Sequence, residues 1–221
     1  SYNNIQDANA ALGIVREFRE PFCVGVKHLT PCGAAIGNSA AECWQKTLEA
    51  DPVSIYGGIV ATNCEIDAQT ATMMKDIFLE IIIAPHFSPE ALRILCTKKN
   101  LRLLEVDMTP TDDTEQNIVS VTGGLVQDAD NKTVEVVADM CVTDTKPSAD
   151  ELRDLNFGLK IVKHIKSNAI CVVRDGATLG IGAGQTNRIG SAEIALRQAH
   201  SKGATQNLVL ASDAFFPFDD C

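Results

Sequence analysis

The run Lys166-Ser167-Asn168-Ala169-Ile170-Cys171, continued by Val172-Val173-Arg174, Asp175-Gly176 and Gly180-Ile181-Gly182-Ala183-Gly184-Gln185-Thr186-Asn187-Arg188-Ile189, decides how this chain is read. It predicts a strand over 169–174, a turn at Asp175-Gly176, a short strand over 178–182 and a helix over 191–200. Leu208-Val209-Leu210-Ala211 then reads as a buried parallel strand. It runs into Ser212-Asp213-Ala214-Phe215-Phe216-Pro217-Phe218-Asp219-Asp220. Apolar rings between carboxylates at a strand end suit the wall of a pocket for a polar aromatic ligand. They equally suit a core strand that ends in a Pro-broken turn.

Working outward, residues 24–61 rhyme with residues 170–211. Each half reads as helix, strand, Gly-containing turn, short strand, small-residue loop, helix and buried strand. In the first half, Asp7 is the expected cap of a helix carrying Ala11, Leu12, Val15 and Phe18, with Pro21 as its stop. A strand over 22–26 leads to Lys27-His28, and Pro31 and Gly33 break the chain before 34–36. Ser39 and Glu42 form a capping-box signature, Asp67 caps a further helix, and Ser88-Pro89-Glu90 opens another. Strands are expected over 57–61, 79–84 and 101–106. Residues 109–114 read as a polar loop, and 118–137 as a hairpin turning at Asp128-Ala129-Asp130-Asn131. Ser148 and Glu151 form a second capping box, ahead of a stripe of Leu152, Leu155, Leu159 and Val162. Strands alternating with helices, several of them continuously aliphatic, predict an α/β fold with strands covered on both faces. The boundary falls near 145–148, dividing the chain into 1–146 and 147–221.

The chain has 221 residues, 45% of them apolar, which is enough for a sizeable core. Its formal net charge of −10 makes nucleic acid and anionic membrane poor partners, though a local Arg or Lys can still hold an anionic small ligand. Eight scattered Cys, with no C-x-x-C and no secretory leader, predict reduced thiols in the cytosol rather than a zinc site. No apolar run approaches the roughly 20 residues of a membrane span. The opening Ser1-Tyr2-Asn3-Asn4 reads as a cut inside a larger protein.

Several residues can carry chemistry. At Lys27-His28, an imidazole titrating near neutrality can take a proton and a neighbouring ammonium can hold or donate charge. The Lys charge also disfavours the imidazolium. The plainer reading is two polar residues at a strand end. Adjacent strand residues face opposite ways, so both reach one substrate only if the strand ends there. Asn168 offers an amide donor and acceptor, either for a reacting carbonyl or for a helix-terminal turn. The glycines at 180, 182 and 184 fit close packing or a phosphate cradle, and they match neither a Walker nor a dinucleotide pattern. Arg188 is a fork suited to phosphate or carboxylate, or to a surface ion pair. Glu80, flanked by Leu79 and Ile81, must find a partner or face outward from an edge.

Lys27-His28-Leu29-Thr30-Pro31-Cys32-Gly33, Ser167-Asn168-Ala169, Gly182-Ala183-Gly184-Gln185, Asn187-Arg188-Ile189 and Ser212-Asp213-Ala214-Phe215-Phe216-Pro217-Phe218 stand in one order along nearly the whole chain. Together they resemble the formyltransferase half of the AICAR transformylase/IMP cyclohydrolase family. The resemblance implies two cytidine-deaminase-like α/β subdomains in tandem, the second incomplete, and formyl transfer from 10-formyltetrahydrofolate to AICAR. Folate is then a cosubstrate and no metal is required. The resemblance further implies His28 as base, Lys27 as stabiliser of charge at the folate nitrogen and Asn168 beside the formyl group. It places Tyr56, Gly57 and Ile189 in the folate pocket and Glu80 on the carboxamide of AICAR. Arg188 becomes a substrate contact, and Phe215, Pro217, Phe218 and Asp220 form a wall between the ligands. The expected partners are AICAR, folate and a second subunit, in a cytosolic homodimer with shared active sites. The cyclohydrolase domain and the flanking phosphate-binding Arg segments are absent from this sequence, so the piece is expected to be inactive alone. A silent nucleotide-binding or dimerisation fragment is the alternative. Zinc deamination needs H-x-E and P-C-x-x-C, and the chain has neither.

Overall fold

The hydroxyl of Ser1 accepts from the backbone N–H of Asn4 at 3.3 Å and opens α1 (Tyr2–Val15). Asp7 is therefore not the cap; it lies inside the helix, and its carboxylate is spent elsewhere. The computed structural model describes residues 1–109, 117–128 and 135–218. After α1 come β1 (Phe22–Lys27), β2 (Thr30–Ile36), α2 (Ala40–Ala50), β3 (Ile59–Thr62), α3 (Ala68–Met74), β4 (Ile81–Ala84), α4 (Pro89–Leu95) and β5 (Arg102–Glu105). A separate hairpin, β6 (Asn117–Val121) and β7 (Gly124–Asp128), precedes α5 (Ala149–Val162), β8 (Ile170–Arg174), β9 (Ala177–Gly182), α6 (Arg188–Ser201) and β10 (Val209–Ser212). The protein is thus α/β, as its sequence pattern predicts.

Local chemistry sets most helix starts. Ser39, Asp67, Ser88 and Ser148 each accept from the backbone N–H three residues on. Such a cap is worth about 1 kcal/mol. At Ser148 the box closes, because the Glu151 carboxylate accepts from Ser148 N at 2.8 Å. At Ser39 it does not: Glu42 turns to Asn38 N instead, at 2.9 Å.

Eight strands form one mixed sheet in the order β10-β8-β9-β2-β1-β3-β4-β5. The β3–β4 and β4–β5 pairs are parallel; the other pairings are antiparallel. Two expectations are corrected here. Strand β10 is antiparallel to β8 and lies at the sheet edge, not buried among parallel neighbours. Its alternating burial, with Val209 and Ala211 inside, is that of an edge strand, which an aliphatic run alone does not reveal. The β6–β7 hairpin turns at Thr122-Gly123, with Gly123 at φ +89°, not at Asp128-Ala129-Asp130-Asn131. Residues 129–131 lie outside the described residues.

The series α1-β1-β2-α2-β3 recurs as α5-β8-β9-α6-β10. Helices α1 and α5 are both 14 residues long and both follow a capping Ser. The two series meet at the β2–β9 seam, where Ala35 pairs with Ala177 and Ala34 N donates to Thr178 Oγ1 at 3.0 Å. They also share a core. Phe18 stacks on Phe22 with centroids 3.8 Å apart, and Phe157 of α5 closes on Phe18 at 5.5 Å. Trp44, Ile66, Met74, Ile82 and Phe87 fill the opposite face, under α2, α3 and α4.

The strand pairings bring the end of β1, the starts of β3, β4 and β8, and the ends of β9 and β10 to one end of the sheet. That end carries Lys27, Gly57, Glu80, Asn168 and Ser212.

Candidate active site

Strand β1 ends at Lys27, which pairs with Thr30, so His28-Leu29 is a two-residue hairpin loop. Both loop residues are left-handed, at φ +56° and +64°. This is the mirror-image turn that usually takes Asn-Gly or Asp-Gly. An L residue with a Cβ costs roughly 1–2 kcal/mol in that conformation. The Asp7 carboxylate holds the loop, accepting from Leu29 N at 2.7 Å and His28 N at 3.3 Å. Because the strand stops at Lys27, the usual alternation of side chains no longer separates Lys27 from His28. Both line one cleft of about 390 Å³.

The cleft joins the two series of elements. Pro31, Asp51 and Ser54 line it from the first, Ile181, Ala183 and Gln198 from the second. Lys27 Nζ donates to the backbone oxygen of Tyr56 at 2.8 Å. The Tyr56 ring packs on Phe78 at 5.3 Å, and Gly57 N donates to Phe78 O at 2.8 Å, which fixes the segment before β3. Cys32 also lines the cleft, but burial, aided by the charge of Asp51, pushes its thiol up to about 12. It stays protonated at neutral pH and is no nucleophile.

A second polar cluster sits at the same sheet end. Arg188, the first residue of α6, donates from Nη2 to Asn168 Oδ1 at 2.8 Å and from Nη1 to Ser212 Oγ at 3.0 Å and to the Asp213 carboxylate. Asn168 Nδ2 donates to Gln185 O at 2.9 Å. Asp213 also accepts from the Ser167 hydroxyl and from Ala169 N. Burial opposes ionisation of Asp213, but the Ser167 and Arg188 hydrogen bonds outweigh it and hold its carboxyl below the usual range. The Arg188 side chain is only 11% exposed, so it is no surface ion pair.

Among the described residues, the other expected ones belong neither to the cleft lining nor to the hydrogen bonds of the Arg188 cluster. Glu80 precedes β4 and pairs with Arg102 Nη1 at 2.9 Å, while Asn4 Nδ2 approaches it at 3.4 Å. That satisfies the demand for a partner without burying the carboxylate in a strand. Ile189 is half-buried in the first turn of α6. Phe215, Pro217 and Phe218 are exposed beyond β10. Asp220 lies outside the described residues. The glycine run serves packing: a Cβ on Gly180 or Gly182 would lie 1.9 Å from the backbone oxygen of Ala195 or Ser191. Both glycines let α6 lie directly on β9.

Nothing in the sequence gives Asp213 a role, although it stands within a quoted motif, or gives Asp7 any role beyond that of a cap. Asp7 carries no local signal, because its partners lie 21 and 22 residues away.

The chain has counterparts among known proteins. A family model described as the AICARFT/IMPCHase bienzyme matches residues 1–198. The chain belongs to that family. The "Bifunctional purine biosynthesis protein PurH" of Anoxybacillus flavithermus is 55% identical over 223 residues, covering 100% of this chain and 43% of the relative. Proteins of the same name from Oceanobacillus iheyensis and Bacillus cereus are 51% and 52% identical over 221 residues, with the same coverage. The chain thus spans less than half the length of the curated relatives it matches. At one end of its sheet the chain carries the Lys27-His28 loop and the Asn168–Arg188–Asp213 cluster.

Proposed function

We propose that this chain carries the central part of a formyltransferase that moves a formyl group from 10-formyltetrahydrofolate to the amine of AICAR, yielding formyl-AICAR and tetrahydrofolate in purine biosynthesis. The observation that carries this reading is the convergence of Lys27 and His28 on one cleft at the strand ends, where open α/β sheets bind ligands. The names of the relatives, bifunctional purine biosynthesis proteins, support it.

In this reading the AICAR amine attacks the formyl carbon, His28 takes its proton, and the bond from that carbon to the folate nitrogen breaks. The folate nitrogen gains a proton as it leaves, with Lys27 beside it to stabilise the charge. Asn168 spends one N–H on Gln185 and keeps its second for the formyl oxygen. Arg188 seats that amide first and contacts substrate second. Glu80 takes the carboxamide. Tyr56, Gly57 and Ile189 border the folate, and Phe215, Pro217, Phe218 and Asp220 separate the ligands. The chemistry asks for proton transfer and charge stabilisation, with no metal. Residues 1–146 and 147–221 form two deaminase-like units, and the site is completed across a homodimer in the cytosol.

The test is tetrahydrofolate release from 10-formyltetrahydrofolate with AICAR, run on the 221-residue chain and on a full-length protein containing it. Transfer is expected only from the full-length protein. No transfer by the full-length protein overturns the reading. Full-rate transfer by the chain alone shows that the remaining segments are dispensable.

A further inference from the structure

The structure contains the same hairpin device twice. On α5, the Asp154 carboxylate accepts from Asp175 N and Gly176 N, both at 2.8 Å. On α1, Asp7 accepts from His28 N and Leu29 N. In both cases the acid lies 21 and 22 residues before the two amides. Both loops are left-handed at both positions: φ +53° and +66° at Asp175-Gly176, +56° and +64° at His28-Leu29. The difference is in the residues. Asp-Gly is what this turn prefers, so the α5 copy needs no rescue. His-Leu is a poor choice for it, and backbone held against preference by its surroundings marks functional sites. The Asp175-Gly176 loop lies at the far end of the sheet from the cleft, because β8 starts where β1 ends. Only the Asp7 copy stands at the site.

We propose that Asp7 is a positioning residue, whose carboxylate holds the His28-Leu29 loop in the left-handed turn that sets Lys27 and His28 on one cleft. Without it, a loop of His and Leu relaxes toward right-handed backbone and the strand end no longer presents both side chains together. This rests on the formyl-transfer reading for its catalytic consequence, though not for the geometry of the loop.

The experiment compares Asp7→Asn, Asp7→Asn with Leu29→Gly, and Asp154→Asn in the full-length protein. Turnover, KM, melting temperature and amide hydrogen exchange are read for each. Asp7→Asn is expected to lower kcat about 10- to 100-fold, as small misplacements of reacting groups do, with KM changed much less. Adding Leu29→Gly restores most of the turnover, because glycine takes the left-handed position without a carboxylate. Asp154→Asn lowers the melting temperature and leaves kcat unchanged. Exchange at His28 and Leu29 quickens about tenfold or more in Asp7→Asn, the loss of charge-assisted hydrogen bonds, and stays as it was in Asp154→Asn. A folded Asp7→Asn with kcat within twofold of the unsubstituted protein overturns the proposal. So does a fall in kcat that Asp154→Asn reproduces. If the unsubstituted protein transfers no formyl group, the catalytic reading fails, and unchanged exchange at His28 and Leu29 in Asp7→Asn would then overturn the positioning role by itself.

Discussion

The ammonium of Lys27 lies 2.8 Å from the backbone oxygen of Tyr56, tying the end of β1 to the segment that leads into β3. A carbonyl is a weak partner for a full positive charge, so the ammonium retains donors for a ligand in the cleft. Lys27→Ala is therefore expected to cost turnover far more than stability. Formyl transfer should fall by roughly 10²-fold or more, while the melting temperature moves by only a few degrees. Stopped-assay kinetics beside a thermal scan check this; turnover within a few-fold of the parent would remove Lys27 from the mechanism.

His28 sets activity against stability at a single backbone position. Its φ of +56° favours glycine. His28→Ala should lower turnover by roughly 10²–10⁴-fold, the loss of a general base. His28→Gly should be as inactive, yet more stable than His28→Ala by about 1 kcal/mol. Urea denaturation of the two variants decides it: equal stabilities would mean that the left-handed turn carries no strain.

Gly180 and Gly182 make a separate claim on stability. A Cβ at either would meet α6 backbone oxygen at 1.9 Å, and backbone cannot swing aside like a side chain. Gly182→Ala should destabilise by about 1–3 kcal/mol or more and displace the start of α6, where Arg188 stands. A variant as stable as the parent would show that α6 can lift from β9 without penalty.

Glu17 ties α1 to α5 through Lys163 Nζ at 2.5 Å and His164 Nε2 at 3.0 Å. Burial works against its ionised form, but the His164 and Lys163 hydrogen bonds and charges prevail and hold the carboxyl at about 2. A depressed carboxyl stabilises the fold above its unfolded value near 4.5 and loses that contribution as pH falls toward 2. Glu17→Gln should thus melt lower than the parent at pH 7, with the gap narrowing below about pH 4.5. A gap that stays constant down to pH 3 would contradict the linkage.

The parts of this fold that were legible in sequence are those set by local chemistry. The caps at Ser39, Asp67, Ser88 and Ser148 act within three residues of themselves. The rhyme between halves survives because it is a rhyme of elements, not identities. Most of what the sequence does not show depends on partners distant in the chain. Asp7 has the composition of a cap and bonds a loop 21 residues away. Leu208-Val209-Leu210-Ala211 is aliphatic whether its neighbours are parallel or antiparallel, and nothing in four apolar residues says that the sheet ends there. The hairpin turn is the local exception, since Gly123-Gly124 carries a stronger signal for positive φ than the Asp-rich run does. At the site, the motifs named Lys27, His28, Asn168 and Arg188, but not that Arg188 and Asn168 bond each other.

That last contact yields the sharpest test. Arg188 uses two guanidinium nitrogens on three residues: Nη2 on Asn168 Oδ1 at 2.8 Å, Nη1 on Ser212 Oγ at 3.0 Å and on the Asp213 carboxylate. A lysine presents one point charge and cannot span both sides of that fork. Arg188→Lys should keep the Asp213 pair and lose the Asn168 contact, so the protein stays folded while turnover falls. Arg188→Ala goes further and strips Asp213 of its cation, at about 1–3 kcal/mol for a polar group left short of a partner. Asp213→Ala alone should also destabilise, since Ser167 and Ala169 N lose their acceptor. The two together should cost clearly less than their sum, because each removes the group that the other leaves unpaired. A double-mutant cycle in urea measures that coupling. Additive effects would mean that Arg188 and Asp213 act independently, and the seating of Asn168 would then need another explanation.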